Sequence, residues 1–253
     1  MPIHYARSLL GRARSRRANR HLGVALAFVA GAINAGGFLA VQQYTSHLTG
    51  AISSAADNLA LGAWDLALDA FGAVLSFLAG AMCTALMVNY GRRRGLASEY
   101  ALPLLLEAVL LLAFGVLGAR LATIAGLFAP LTVMLLCFMM GLQNALITKI
   151  SQAEIRTTHM TGIVTDIGIE LGRMLYWNHD HTQPPVAANR ERLMLLASLL
   201  LSFFGGAVLG ALGFKHAGYL ATVPLACMLC LLAIVPAVDD LRSNFSISRR
   251  FDS

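Results

Sequence analysis

Residues 45–50 read Thr45-Ser46-His47-Leu48-Thr49-Gly50, and residues 157–162 read Thr157-Thr158-His159-Met160-Thr161-Gly162, identical at four of six positions at an offset of 112. The echo extends to both sides. Upstream, Gly31-Ala32-Ile33-Asn34-Ala35 meets Gly141-Leu142-Gln143-Asn144-Ala145. Downstream, Ser76-Phe77-Leu78-Ala79-Gly80-Ala81 meets Ser202-Phe203-Phe204-Gly205-Gly206-Ala207, now at an offset of 126. An insertion around 174–190 accounts for the wider spacing. Three matched blocks in one order point to a duplicated unit. One copy covers 21–122 and the other 123–238, between a basic arm at 1–20 and a tail at 239–253.

The blocks are set in apolar sequence. Of 253 residues 57% are hydrophobic and 13% charged, with a mean hydropathy of +0.68. A soluble domain of that make-up lacks the polar surface to face water. A membrane-crossing helix needs about 20 apolar residues. Stretches of that length fall at about 21–41, 66–89, 101–121, 126–148, 193–213 and 217–237. The expected fold is all-α and polytopic, with six transmembrane helices in two three-helix repeats. Around 42–65 and 149–192 lie half-length helical patterns, so each repeat carries a short half-helix after its first span. An odd number of spans per copy turns the second copy upside down, which is inverted-repeat architecture.

Lysine and arginine set the expected orientation. In this topology 17 of them share the side of both termini, and only Arg120 and Lys215 lie opposite. Both termini are therefore expected in the cytoplasm. The net charge of +6 has the same origin and gives no reason to expect nucleic acid as a partner. The first twenty residues are arginine-rich and acid-free, as in a mitochondrial transit peptide, but positive-inside anchoring explains them more simply. The first apolar run shows no convincing small-residue cleavage site, so it is expected to stay. Cys83, Cys137, Cys227 and Cys230 all lie in apolar runs and read as small hydrophobes. Cys227 and Cys230 form a CxxC pair without a histidine or acid nearby, so neither redox chemistry nor zinc is read from it.

Asn34, the H-x-T-G motif behind it and the T-T-x-M-T-G block after the fourth span together resemble the YoaK-type bacterial membrane proteins, over about 20–240. The resemblance implies an integral protein of the bacterial inner membrane, in a family without an assigned reaction. The chain departs from the family pattern in one place. That pattern often continues T-G-N, whereas Gly50 is followed here by Ala51, so a role for that asparagine does not carry over. Asn58 lies nearby on the same predicted helix.

The paired motifs supply the candidate solute-binding residues: Asn34, Thr45, His47, Thr49 and Gly50 in one copy, Asn144, Thr158, His159, Thr161 and Gly162 in the other. Each motif precedes a helical pattern, Ala51–Gly62 and Ile163–Arg173, with Thr49 and Thr161 as predicted N-caps. Helix N-termini dipping in from opposite sides would meet near the midplane at a site for a polar or anionic solute. His47 and His159 suit hydrogen bonding or proton transfer, since imidazole titrates near physiological pH; the plainer alternative is that each pins its own loop. No carboxylate or cysteine accompanies them closely, so no metal is expected. An amide within an apolar span must find partners, so Asn34 and Asn144 either tie helices together or line a polar path. Gly31, Gly36, Gly37, Gly80, Gly141, Gly205 and Gly206 fit close helix crossing.

Glu107 stands mid-helix in Leu104-Leu105-Leu106-Glu107-Ala108-Val109-Leu110, where a charge costs about 2.5–3.5 kcal/mol on insertion scales. It is the candidate proton-coupling residue or a partner for a histidine, with an interhelical hydrogen bond as the plainer alternative. Asp57, Asp65 and Asp69 recur at helical spacing before the second span, with Asp65 read as a solvated face. Asp166, Glu170 and Arg173 share a helix face and suggest a local salt bridge. Trp177-Asn178-His179-Asp180-His181 reads as a cytoplasmic loop.

No GxSxG, HExxH or paired-carboxylate signature is present, so an enzyme is not expected and no cofactor is implied. The expected function is a transporter or channel-like carrier for a small polar or anionic solute, its path between the two inverted repeats. The alternative is a non-transporting membrane sensor or scaffold. The expected partners are the lipid bilayer and a small-molecule solute, and the composition leaves room for a homo-oligomer.

Overall fold

The computed structural model describes residues 16–41, 43–96, 99–121, 128–151, 155, 157–178 and 184–233. The described residues form helices and connections, with no strand. In chain order they are α1 (Arg16–Val41), α2 (Leu48–Ala60), α3 (Trp64–Arg93), α4 (Ala101–Leu121), α5 (Phe128–Ile150), α6 (Met160–Leu175) and α7 (Arg190–Ala217), followed by a 3-10 turn at Gly218–Ala221 and α8 at 222–233. The short helices α2 and α6 stand where half-length patterns were expected.

Among the described residues four helical runs are long and apolar enough to cross a membrane: Arg17–Val41, Trp64–Arg93, Pro130–Ile150 and Arg190–Ala233. The apolar part of α4, Ala101–Val116, is shorter. A straight rod over the 44 residues of the last run would measure about 65 Å, twice a bilayer core of about 30 Å. Gly218 breaks it. At φ +58 it holds a backbone shape that other residues rarely adopt, and the 3-10 turn follows. Beyond the turn, Leu225, Ala226, Leu229 and Ala233 are buried in the same cluster as Leu104, Leu111 and Phe114 of α4.

Side-chain distribution marks an integral membrane protein. Leu68, Phe71, Leu75, Leu78 and Met82 form a helical stripe along α3, and all are exposed. An apolar face of that extent is at home against lipid and not against water. Leu22, Leu26, Val29 and Ile33 form the opposite kind of stripe on α1, at most 2% exposed.

Two close helix pairs carry the assembly, α1 on α7 and α3 on α5. In the first pair Gly31 faces the Phe203 carbonyl and Gly206 the Phe28 carbonyl. In the second, Gly80 faces the Phe138 carbonyl and Gly141 the Phe77 carbonyl. A Cβ at any of the four would run into that oxygen, so backbone meets backbone only because glycine stands there. Hydroxyls add cross-links, Ser202 Oγ donating to the Val24 carbonyl at 2.8 Å and Thr84 Oγ1 to the Leu142 carbonyl at 2.8 Å. Gly36 lies against the Phe214 ring and Gly37 against Leu136. Gly205 departs from the packing expectation. Its Cβ position meets open space, because the neighbouring Gly206 is the residue turned towards α1.

Candidate functional site

After α1 the chain folds back along the helix it has just left. Asn34 Oδ1 accepts from Ser46 N at 3.2 Å and from Ser46 Oγ at 3.0 Å. After α5 the same happens: Asn144 Nδ2 donates to Thr158 Oγ1 at 2.5 Å and to the Met140 carbonyl at 3.0 Å. Each asparagine thus fastens the motif that follows it, and among the described residues neither side chain bonds to a different long helix.

The motif then opens a helix. His47 and His159 are the N-cap residues of α2 and α6, both non-helical in backbone, and neither side chain makes a capping bond. Their carbonyls accept the first helical bonds, from Ala51 N and Ile163 N at 3.1 Å each. The expectation of Thr49 and Thr161 as N-caps is corrected accordingly. Both lie inside the first turn, because the chain enters helical geometry one residue after the histidine. The imidazoles lie over that turn. A Cβ on Gly50 would stand 3.2 Å from His47 Nδ1, and one on Gly162 2.5 Å from His159 Nδ1. This contact explains why each histidine is followed three residues later by glycine.

Thr45 and Thr157, which begin the two motifs, are buried with hydroxyls that meet no partner. Thr45 also offers its carbonyl to Cys137 Sγ at 3.4 Å.

The motifs line two cavities. His159, Thr161 and Gly162 belong to one of about 770 Å³, beside Arg20 near the start of α1. Thr45, His47 and Gly50 belong to one of about 500 Å³, beside Val41 at the end of α1. The two share no lining residue, and Arg20 and Val41 stand about 30 Å apart along the helix. Leu26, Ile33, Leu136, Met139, Met140 and Leu142 fill the middle, each less than 2% exposed. The expectation that both motifs meet at a shared site near the midplane is therefore corrected. Each loop is fastened to its own first helix, while α2 packs on α3 and α6 on α7.

The cavities nevertheless use matching positions. His47 answers to His159, Gly50 to Gly162 and Ser54 to Asp166 at an offset of 112; Leu66 answers to Arg192 and Asp69 to Leu195 at 126. Across the spans, Arg20 answers to Pro130 at an offset of 110. Charge separates them. In the larger cavity Arg20 pairs with Glu191 at 3.4 Å and Arg192 with Asp166 at 2.9 Å. Asp166 thus bonds across to α7 and does not join the local Glu170–Arg173 pair, which stands at 3.0 Å. Glu170 also accepts from Asn189 N at 2.8 Å, so α6 is strapped to the entry of α7.

Glu107 lies apart from both cavities. It is fully buried and accepts from Gln143 Nε2 at 2.9 Å, while its second oxygen and Gln143 Oε1 lack partners. Its partner is an amide and not a histidine, because α4 packs on α5 and turns Glu107 towards the position beside Asn144. Sequence reading passed over Gln143, whose counterpart in the other block is the apolar Ile33. Among the described residues no group of three or more His, Cys, Asp or Glu stands together. The expected loop at Trp177–His181 extends outside the described residues from 179 onwards; Asn178 bonds Val186 through both its amide atoms.

A sequence model for a family described as "Protein of unknown function (DUF1275)" matches residues 22–235, consistent with the resemblance drawn from the motifs. No curated protein and no solved structure shows significant similarity to the chain.

Proposed function

We propose, for a chain that belongs to the DUF1275 family, that it is a bacterial inner-membrane carrier for a small polar solute, built from two inverted three-helix repeats over 21–122 and 123–238. In this reading α1, α3 and α4 cross as one unit, α5, α7 and α8 as the other, and α2 and α6 are their half-helices. The lysine and arginine distribution supports an orientation with both termini and the Arg20 cavity on the cytoplasmic side and the Val41 cavity on the far side.

One observation carries the reading: matching residues of the two units build one cavity at each end of the bundle. The helix contacts support the same symmetry. The first span of each unit meets the second span of the other through a glycine facing a phenylalanine carbonyl, in both directions. A carrier of this kind works by opening each cavity towards the centre in turn.

The packed centre favours a second reading, a non-transporting sensor or scaffold whose two cavities never connect. Solute flux into proteoliposomes separates them, measured on the full chain and on His47→Ala and His159→Ala variants. The carrier reading expects flux of at least one solute from a broad polar panel and its loss in both variants. Absence of flux across the panel would leave the scaffold.

A further inference from the structure

We propose that the cavity at the Val41 end is a binding site for a small organic ammonium, anchored by Asp69. This narrows the solute class of the carrier reading and rests on it for its setting in the membrane.

Asp69 is, among the described residues, the sole Asp, Glu, Lys or Arg lining that cavity. Among the described residues no side chain pairs with it. It shares a face of α3 with Leu66 and Ala73, and Ala70 lines the same cavity. Thr45, whose buried hydroxyl lacks a partner, and Tyr44, whose ring stacks on Phe38 at 4.5 Å between centroids, line the same cavity. A carboxylate, a spare hydroxyl acceptor and an aromatic ring are the groups that hold an ammonium.

The charges decide against an anion. The N-terminus of α2 contributes about half a positive charge, which the full negative charge of Asp69 outweighs. At the other cavity both arginines are already engaged by Glu191 and Asp166, and the position matching Asp69 is Leu195. A metal ion fits poorly. A hard cation takes six or more oxygen ligands, carboxylates foremost, and among the described residues Asp69 is the one carboxylate lining the cavity. About 500 Å³ suits a small organic molecule and far exceeds a bare ion.

The test uses the purified full-length chain in detergent, followed by thermal unfolding with choline, ethanolammonium, acetate and 3,3-dimethylbutan-1-ol, the uncharged counterpart of choline. Choline or ethanolammonium should raise the unfolding temperature saturably, and the neutral alcohol and acetate should not. Asp69→Asn should weaken ammonium binding about tenfold or more, Asp69→Glu should retain part of it, and Leu195→Ala in the other cavity should leave it unchanged. Equal stabilisation by the neutral alcohol, stronger stabilisation by acetate, no response to either ammonium, or full affinity in Asp69→Asn would each overturn the proposal. If the Asn variant folds poorly, the contrast between choline and its neutral counterpart decides on the unaltered chain. Ammonium binding without flux in proteoliposomes would keep this site and remove the carrier; flux of another solute without ammonium binding would do the reverse.

Discussion

At the scale of single residues the two histidines differ in how tightly they are held. A Cβ on Gly162 would stand well inside contact distance of the His159 ring, whereas one on Gly50 would be 3.2 Å from His47. Gly162→Ala should therefore cost about 1–3 kcal/mol through overpacking, and Gly50→Ala clearly less. Removing the ring as well, in Gly162→Ala with His159→Ala, should recover most of the loss; thermal unfolding of the three variants checks this. Glu107 and Gln143 make a second contrast. Glu107→Gln keeps a hydrogen-bonding partner for the Gln143 amide and should leave stability nearly unchanged, while Glu107→Leu strands that buried amide and should cost about 1–3 kcal/mol. If Glu107 couples protons to transport, Glu107→Gln should also abolish coupling to a pH gradient; unchanged coupling in flux measurements would remove that role. Glu107 drew notice in the sequence because a charge inside an apolar run is conspicuous. Gln143 did not, since an uncharged amide inside a repeated block reads as variation of the block.

At the scale of elements, glycine sets which helices meet. Gly31 and Gly206 bring α1 and α7 together, and Gly80 and Gly141 do so for α3 and α5, each against a carbonyl of the facing helix. Matching glycines should then carry matching costs. Gly80→Ala and Gly206→Ala are expected to lower stability to a similar extent, about 1–3 kcal/mol each, while Gly205→Ala, with open space at its Cβ, should be neutral. Unfolding temperatures of the three variants decide it. The helices themselves were legible from apolar length and from the repeated blocks, and the half-helices from what was left between them. Two things were not. A threonine after a histidine looks like the better cap by residue type, but backbone geometry puts the cap on His47 and His159. And Gly205 and Gly206 are neighbours of one type, so only the rotation of α7 against α1 tells which of them is the contact.

At the scale of the whole molecule, the repeated motifs were legible but their meeting point was not. Where a loop ends up depends on the side-chain bonds that fasten it, and Asn34 to Ser46 and Asn144 to Thr158 hold each loop near its own end of the bundle. The result is two cavities of matching construction with packed leucine and methionine between them. The central claim of the account is that these cavities open to opposite sides of the membrane. Ser54 and Asp166 occupy matching positions, one in each cavity, and so report on it directly. Ser54→Cys and Asp166→Cys would be introduced separately into a chain freed of Cys83, Cys137, Cys227 and Cys230, and labelled with a membrane-impermeant maleimide in right-side-out and inverted vesicles. The account predicts labelling of Ser54→Cys only in right-side-out vesicles and of Asp166→Cys only in inverted ones; labelling of both from the same side would contradict it.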